Sequence, residues 1–444
     1  MLPATANGDP MPNDLLPIDP GARRAILDAV TALQPDAIAL LQTLVRHKST
    51  LGHEQGAINE MARVFADLGL QPRRVPVDVD TLKDKPGFSP PLISYEGRDN
   101  VVAAYRCTQR KGRSLLLQGH VDVVPEGAAD LWTTPPYEPD IRQGRMFGRG
   151  AADMKAGVVA YVTAFQAIQK AGLRPAADVQ LAAVIEEECT GNGALAVMHA
   201  LPKPDACLIP EPGPGYPALY VAEVGVVWAW VTITGKPAHV RDMQSGVNAI
   251  EAAYVIAERF KAYESRMNRA ENRHPAFAAE NHPINVNLGT IEGGEWNSSV
   301  ATRSKIGFRI GVMPGHPAAA VKGEIEALVD EARRDPRLSG ARLDLSFAGF
   351  MADGAIFPPD QPISQAVSRL HADITGGDLR HYNALGLTDA RFYTLYQGTQ
   401  ATCYGPDSDN IHGIDESVGL ASLHDVTKVI ALTIAGWCGL ERAS

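Results

Sequence analysis

Apolar residues in the first half of the chain recur at two different periods. Between residues 20 and 47, Ile26, Val30, Leu33, Leu40, Leu41 and Leu44 fall on recurring faces, the spacing of an amphipathic helix. A second helical stretch runs over about 54–68 and ends at Gly69. Short unbroken apolar runs then read as buried strands, at Asn100–Tyr105 and Ser114–Gln118. Lys155–Ala171 returns to the helical period, and Asp178–Ile185 and Asp205–Ile209 to the strand pattern. Strands that alternate with helices of this length predict an α/β sheet covered on both faces.

The pattern changes near Val221. Gly225–Gly235 is a long β run carrying Trp228, Trp230, Val231, Thr232 and Ile233. A helix over about Gly246–Arg266 follows, then a polar loop, β runs at Ile284–Glu292 and Ser299–Val312, a helix at Ala318–Arg334, and a strand at Ala341–Phe347. That order, β-α-β-β-α-β, makes a compact two-layer unit. After Gly349 the α/β alternation resumes, with Ser417–Trp437 helical. The expected architecture is therefore one α/β domain, residues 1–222 plus 351–444, interrupted by a smaller α+β domain at 223–350. A length of 444 residues fits two cores better than one.

Composition narrows the partners. The net charge of -10 disfavours nucleic acid and anionic membrane, and leaves small molecules open. No apolar run approaches the ~18 residues a membrane span needs. The stretch from Met1 to about Arg24 lacks the basic and apolar blocks of a secretory signal, and its first dozen or so residues read as a disordered tail. Cys107, Cys189, Cys207, Cys403 and Cys438 are scattered and never paired as C-x-x-C, so free thiols in a reducing, cytoplasmic setting are expected.

The candidate chemistry lies where strands end. His120 and Asp122 follow the strand Ser114–Gln118, the carboxyl-end position where open α/β sheets bind ligands. His120 offers a metal-binding nitrogen, and Asp122 can accept the other imidazole N–H. Asp153 sits in the Gly-bracketed turn GRGAADMKAG just before a helix, where a carboxylate can bridge two cations or merely cap the helix. Glu186, Glu187 and Glu188 terminate the strand Val179–Ile185; such a run is either a solvated face or a site whose mutual repulsion a cation relieves. Glu211 ends another strand, between Pro210 and Pro212, and His412 lies in SDNIHGIDE before the last helix. Each is ambiguous alone. Together they are a histidine and carboxylate set without thiolate, a chemistry that suits Zn²⁺, with Mn²⁺ or Co²⁺ as substitutes. The run GNGALA after the acids is a poor dinucleotide loop, since the acids would repel a pyrophosphate. A G-x-S-x-G nucleophile elbow is absent from the sequence.

These five blocks, in this order, resemble the M20 family of dinuclear zinc amidohydrolases and peptidases, which includes acetylornithine deacetylase, succinyl-diaminopimelate desuccinylase and glutamate carboxypeptidase. The resemblance runs from about residue 35 onward. It implies a zinc-peptidase-like three-layer αβα catalytic domain with an inserted ferredoxin-like α+β lid that carries a homodimer interface. It further implies that His120 and Glu211 hold one metal ion, Glu188 and His412 the other, and Asp153 both. Asp122 would support His120, and Glu187 would be the general acid-base. His239, in GKPAHVRDMQSGVNAI, would reach the partner subunit's site, while Asn297, Arg309 and Arg391 would hold a substrate carboxylate. The implied reaction is hydrolysis of an N-acyl amino acid, acetylornithine deacetylase-like. A carboxypeptidase, dipeptidase or N-carbamoyl amidase of the same fold, or a binding homologue without metal, are the alternatives.

Overall fold

The computed structural model describes residues 15–443; the expected N-terminal tail falls outside that range. A six-stranded sheet organises the larger part of the chain. Its strands run in the order Arg73–Pro76, Asp99–Tyr105, Val179–Val184, Leu115–His120, Ala206–Ile209, Gln400–Cys403. The last four are mutually parallel, and the first two form an antiparallel edge. Leu115–His120 and Val179–Val184 are buried at every residue, so both sheet faces are covered, as unbroken apolar runs require. Helices Pro20–Arg46, Gly157–Lys170 and Leu420–Cys438 pack on one another, and Pro362–Thr375 packs against the last of them.

The smaller part is a four-stranded antiparallel sheet, ordered Val286–Gly293, Arg303–Val312, Gly225–Thr234, Arg342–Ala352. Helices Ala249–Met267 and Ala318–Ala332 cover one face. Along Gly225–Thr234 the period-two pattern sorts the side chains. Val227, Ala229, Val231 and Ile233 are sealed in a second apolar core with these helices. Val226, Trp228 and Trp230 point to the other face.

The predicted helices and strands are present, with shifts at their ends that have local causes. The strand expected to stop at Phe347 continues to Ala352 through an irregularity opposite Val227–Ala229. The helix expected from Ser417 begins at Leu420, because Ser417–Gly419 pairs with Arg145–Phe147 in a small five-stranded sheet. That sheet, and a three-stranded one built from Ala218–Glu223, Ala355–Ile356 and Arg380–Ala384, were not predicted. The strands of the five-stranded sheet are two or three residues long, too short to show a period. No helix among the described residues is long and apolar enough to cross a membrane. Cys189, Cys207, Cys403 and Cys438 are buried and Cys107 is half-buried, all as free thiols.

Candidate metal and acid-base site

Three adjacent parallel strands deliver the first donors. His120 is the last residue of its strand and pairs with Val184, after which the chain turns into Glu186–Glu188. Glu211 follows Ala206–Ile209 on the other side of the His120 strand. Asp153 comes from the irregular turn Ala151–Ala156, which enters from Gly150 at φ 77°. A side chain at Gly157, just after that turn, would run into the Pro210 carbonyl, so only glycine lets the turn close on the Glu211 segment. His412 comes from the loop between Asp407–Asp409 and Ser417–Gly419 and has φ 61°, a conformation non-glycine residues seldom adopt.

Six side chains distant in sequence thus converge. One oxygen of Asp153 lies 3.2 Å from His120 Nε2 and the other 3.4 Å from His412 Nε2. Glu211 Oε1 and Glu187 Oε2 are each 3.8 Å from His120 Nε2, and Glu188 Oε2 is 3.1 Å from His412 Nε2. Two ligand triads result, His120–Asp153–Glu211 and Asp153–Glu188–His412, with Asp153 common to both; Glu187 and Glu188 also approach His120.

The electrostatics are those of a site crowded with like charge. Burial, reinforced by the other carboxylates, holds Glu187 and Glu211 well above the usual carboxylate range. Burial pushes Asp122 up to about 7 and Asp389 up to about 6. Asp153 goes the other way: burial opposes ionisation, but contacts with both histidines outweigh it. Glu188 pushes His412 up to about 11. His120 is lowered by burial but raised further by Asp153 and the surrounding acids, and ends well above the ordinary value.

Buried Glu187 Oε1 and Glu211 Oε1 have no hydrogen-bond partner among the described residues. Carboxylate oxygens so placed cost free energy unless a proton or cation neutralises them. The donor set of imidazoles and carboxylates fits divalent cations of the zinc type.

The remaining expected residues fall in different places. Asp122 supports His120 mainly through its backbone: His120 Nδ1 is 3.0 Å from the Asp122 carbonyl oxygen and 3.6 Å from Oδ1. Its carboxylate instead accepts the backbone N–H groups of Glu187 and Glu188, at 3.3 and 3.1 Å. His239 and Asn297 lie on the exposed surface of the smaller unit. Arg309 reaches the site, because it lines a cavity of about 610 Å³ that also exposes Glu187, Glu188 and His412. Arg391 does not reach it, which corrects its expected role as a carboxylate clamp. Its guanidinium is buried and donates to the Thr388 carbonyl at 2.7 Å and the Thr190 carbonyl at 3.4 Å.

Two acids beside the expected set are structural keystones. Glu416 accepts Arg149 Nη1 at 2.5 Å, Gly150 N at 3.1 Å, and Ala152 N and Asp153 N at 3.0 Å each. It thereby holds the turn that aims Asp153. Glu186 turns inward at φ 62° to pair with Arg98 at 2.6 Å, and Arg98 also binds Glu54. Three consecutive glutamates therefore separate into one buried anchor and two site residues. The signal for Glu416 was its place four residues after His412, in an acidic pair.

Known proteins resemble this chain in sequence and in fold. A model of peptidase family M20/M25/M40 matches residues 116–436. Succinyl-diaminopimelate desuccinylase of Rhodospirillum centenum is 27% identical over 91% of this chain and 98% of its own length. N-formyl-4-amino-5-aminomethyl-2-methylpyrimidine deformylase of Halalkalibacterium halodurans is 26% identical over 79% of this chain and 85% of its own. Among solved structures, the dipeptidase Dug1p of Saccharomyces cerevisiae superposes with a TM-score of 0.75 at 13% identity, covering 94% of this chain and 99% of Dug1p. Human carnosine dipeptidase 1 gives 0.73 at 16%, covering 95% and 100%. The chain has the fold of those proteins, and with the family model spanning most of its length it belongs to peptidase family M20/M25/M40, hydrolases of amide bonds.

Proposed function

We propose that the protein is a two-cation deacylase that hydrolyses the amide bond of an N-acyl amino acid or a related N-acylated small amine. The observation that carries this reading is Asp153, which offers one carboxylate oxygen to each of two His-containing triads. Two relatives are named as a deformylase and a desuccinylase, which supports an acyl-removing reaction over exopeptidase activity. His120, Asp153 and Glu211 would hold one cation, and Asp153, Glu188 and His412 the second. Zn²⁺ suits these donors, with Co²⁺ or Mn²⁺ as substitutes. Bound cations supply Lewis acidity toward the carbonyl and a water of lowered pKa.

The protein's own contribution is proton transfer, positioning and exclusion of water. Glu187 has a buried carboxylate held well above its ordinary pKa, the condition for a group that must both accept and return a proton near neutrality. It takes a proton from the attacking water and delivers it to the leaving nitrogen. Asp122 fixes the backbone of Glu187 and Glu188, so the shuttle and its neighbouring donor keep their spacing. Arg309 faces the cavity and can hold a substrate carboxylate bidentately.

The four-stranded unit, residues 223–350, serves as the lid on a catalytic domain of 1–222 plus 351–444. Val240, Met243 and Trp296 are exposed beside His239 and Asn297, which favours a homodimer contact on the lid that carries His239 into the site of a second copy. A cytoplasmic location is supported by the free thiols.

The test is a metal-loaded preparation assayed on N-acetyl, N-formyl and N-succinyl amines, N-carbamoyl amino acids and dipeptides, with metal content measured in parallel. Acyl amines turned over with two cations per chain are expected. Preferential dipeptide cleavage would overturn the deacylase assignment, and failure to retain metal would overturn the two-cation site.

A further inference from the structure

The four-stranded sheet gives the cavity an aromatic wall, and the backbone is shaped to keep it so. Trp228 and Trp230 are two residues apart on Gly225–Thr234 and share the face turned away from the lid helices. A side chain at Gly307 would come within 2.6 Å of Trp230 Cζ3, so the Trp230 indole occupies the space that glycine leaves. Gly349, at φ 80°, leaves the space that the Trp228 indole fills. Phe350 stands perpendicular to Trp228, with ring centroids 5.4 Å apart. Arg391 lies behind that ring, 5.8 Å from the Phe350 centroid, so its buried guanidinium braces the wall. Arg309 is the cross-strand partner of Trp228 and the one guanidinium among the described residues lining the cavity.

Building on the deacylase reading, we propose that the substrate carries a planar aromatic group that stacks on the Trp228–Trp230 wall, with a single anionic or carbonyl group beside it for Arg309. Indole faces stack on a flat π-system, and the wall offers no carboxylate to pair with an ammonium. The acids that line the cavity, Asp122, Glu187 and Glu188, belong to the larger part of the chain, whereas both indoles stand on the four-stranded sheet. An indole face does attract an ammonium, but Lys305 Nζ already lies 4.9 Å from the Trp230 ring centroid, so an aliphatic ammonium tail of a substrate would meet like charge there.

The experiment compares kcat/KM of the metal-loaded enzyme on N-formylbenzylamine, N-benzoylglycine, N-acetyl-L-ornithine and N-succinyl-L-lysine. Expected is at least one aromatic amide preferred roughly tenfold or more over both aliphatic ones, the order a stacked aromatic pair supplies. Which aromatic amide wins assigns the ring to the amine or the acyl side. Trp228→Leu, and separately Trp230→Leu, should cut the aromatic-to-aliphatic ratio about tenfold, mainly through KM. An aliphatic preference, or a ratio unmoved in folded variants, overturns the proposal while leaving the deacylase reading intact. If no amide turns over, that reading fails instead. Calorimetric titration with phenylacetate then decides: saturable binding lost in Trp228→Leu upholds the wall, and its absence in the unmutated protein sinks it.

Discussion

Replacing Glu416 by glutamine should loosen the site without touching a single proposed ligand. The Glu416 side chain is fully buried and so is Arg149, which it contacts at 2.5 Å. Its two oxygens accept three further bonds from the backbone N–H groups of Gly150, Ala152 and Asp153. Glutamine keeps one oxygen and places an NH₂ where the other stood. Whichever way the amide turns, that NH₂ meets either Arg149 and Gly150 N–H or the Ala152 and Asp153 N–H groups, donor against donor. Arg149 also loses its counter-charge while donating to the Gly413 carbonyl at 2.9 Å. Breaking one side of a buried ion pair costs about 3–5 kcal/mol. Part of that cost should surface as weaker metal binding, because the Asp153 turn is no longer clamped; loss of an outer support of this kind weakens metal affinity about 10–100-fold. The assay pairs urea unfolding of the metal-free protein with competitive chelator titration of the zinc form. An unfolding midpoint and a zinc affinity both equal to those of the unmutated protein would refute the idea that Glu416 sets the Asp153 turn.

Glu187→Ala should retain bound metal while kcat falls about 10²–10⁴-fold, measured by elemental analysis and initial rates on the same sample; activity within tenfold would exclude Glu187 as the proton shuttle. His412→Ala should lower metal content toward one ion per chain, and unchanged stoichiometry would exclude it as a ligand. Mixing His239→Ala with Glu187→Ala chains should restore part of the activity through hybrid dimers, each with one intact site; no recovery after demonstrated subunit exchange would place His239 outside catalysis. Glu223 supplies a pH test. Burial pushes its carboxyl up to about 8 from an ordinary 4.5, so the folded chain binds the extra proton between those values. Stability should therefore fall as pH rises through that window, and Glu223→Gln should flatten the fall in denaturation midpoints; an equal slope in both proteins would mean that Glu223 ionises freely in the fold.

What the sequence conveyed about the site depended on how each residue is tied to an element. His120, Glu188 and Glu211 stand at the ends of unbroken apolar strands, so the run of hydrophobic residues located them and the parallel sheet brought them side by side. Asp153 was marked by glycines whose need is steric, as Gly157 against Pro210 shows. The lid's β-α-β-β-α-β order was visible because its strands reach 8–11 residues, long enough for a period of two to register. The small sheet that flanks His412 and Glu416 has strands of two or three residues, some of them paired with strands far away in the sequence, and no local pattern announces such pairing.

Arg391 was misplaced for a related reason: a guanidinium looks the same in sequence whether it faces a ligand or the protein's own carbonyls. The structure separates it from Arg309. A Cβ at Gly191 would collide with the Arg391 guanidinium, so the chain has left a glycine there to admit it. Burial of Arg309, by contrast, lowers it to about 10 while it donates to the Leu385 carbonyl at 2.9 Å and still lines the cavity. The two arginines should therefore fail differently. Arg391→Met removes a cation that faces Glu223 and Asp389 and lowers their ionisation cost, so it should depress the melting temperature and raise both acids further. Arg309→Met should instead raise KM for an N-acyl amino acid relative to its carboxamide by about tenfold or more, the worth of one charge-assisted contact. If Arg391→Met, in its folded form, proved to be the variant that erased the preference for the carboxylate, the braced-wall account of Arg391 would have to yield to the clamp that the sequence suggested.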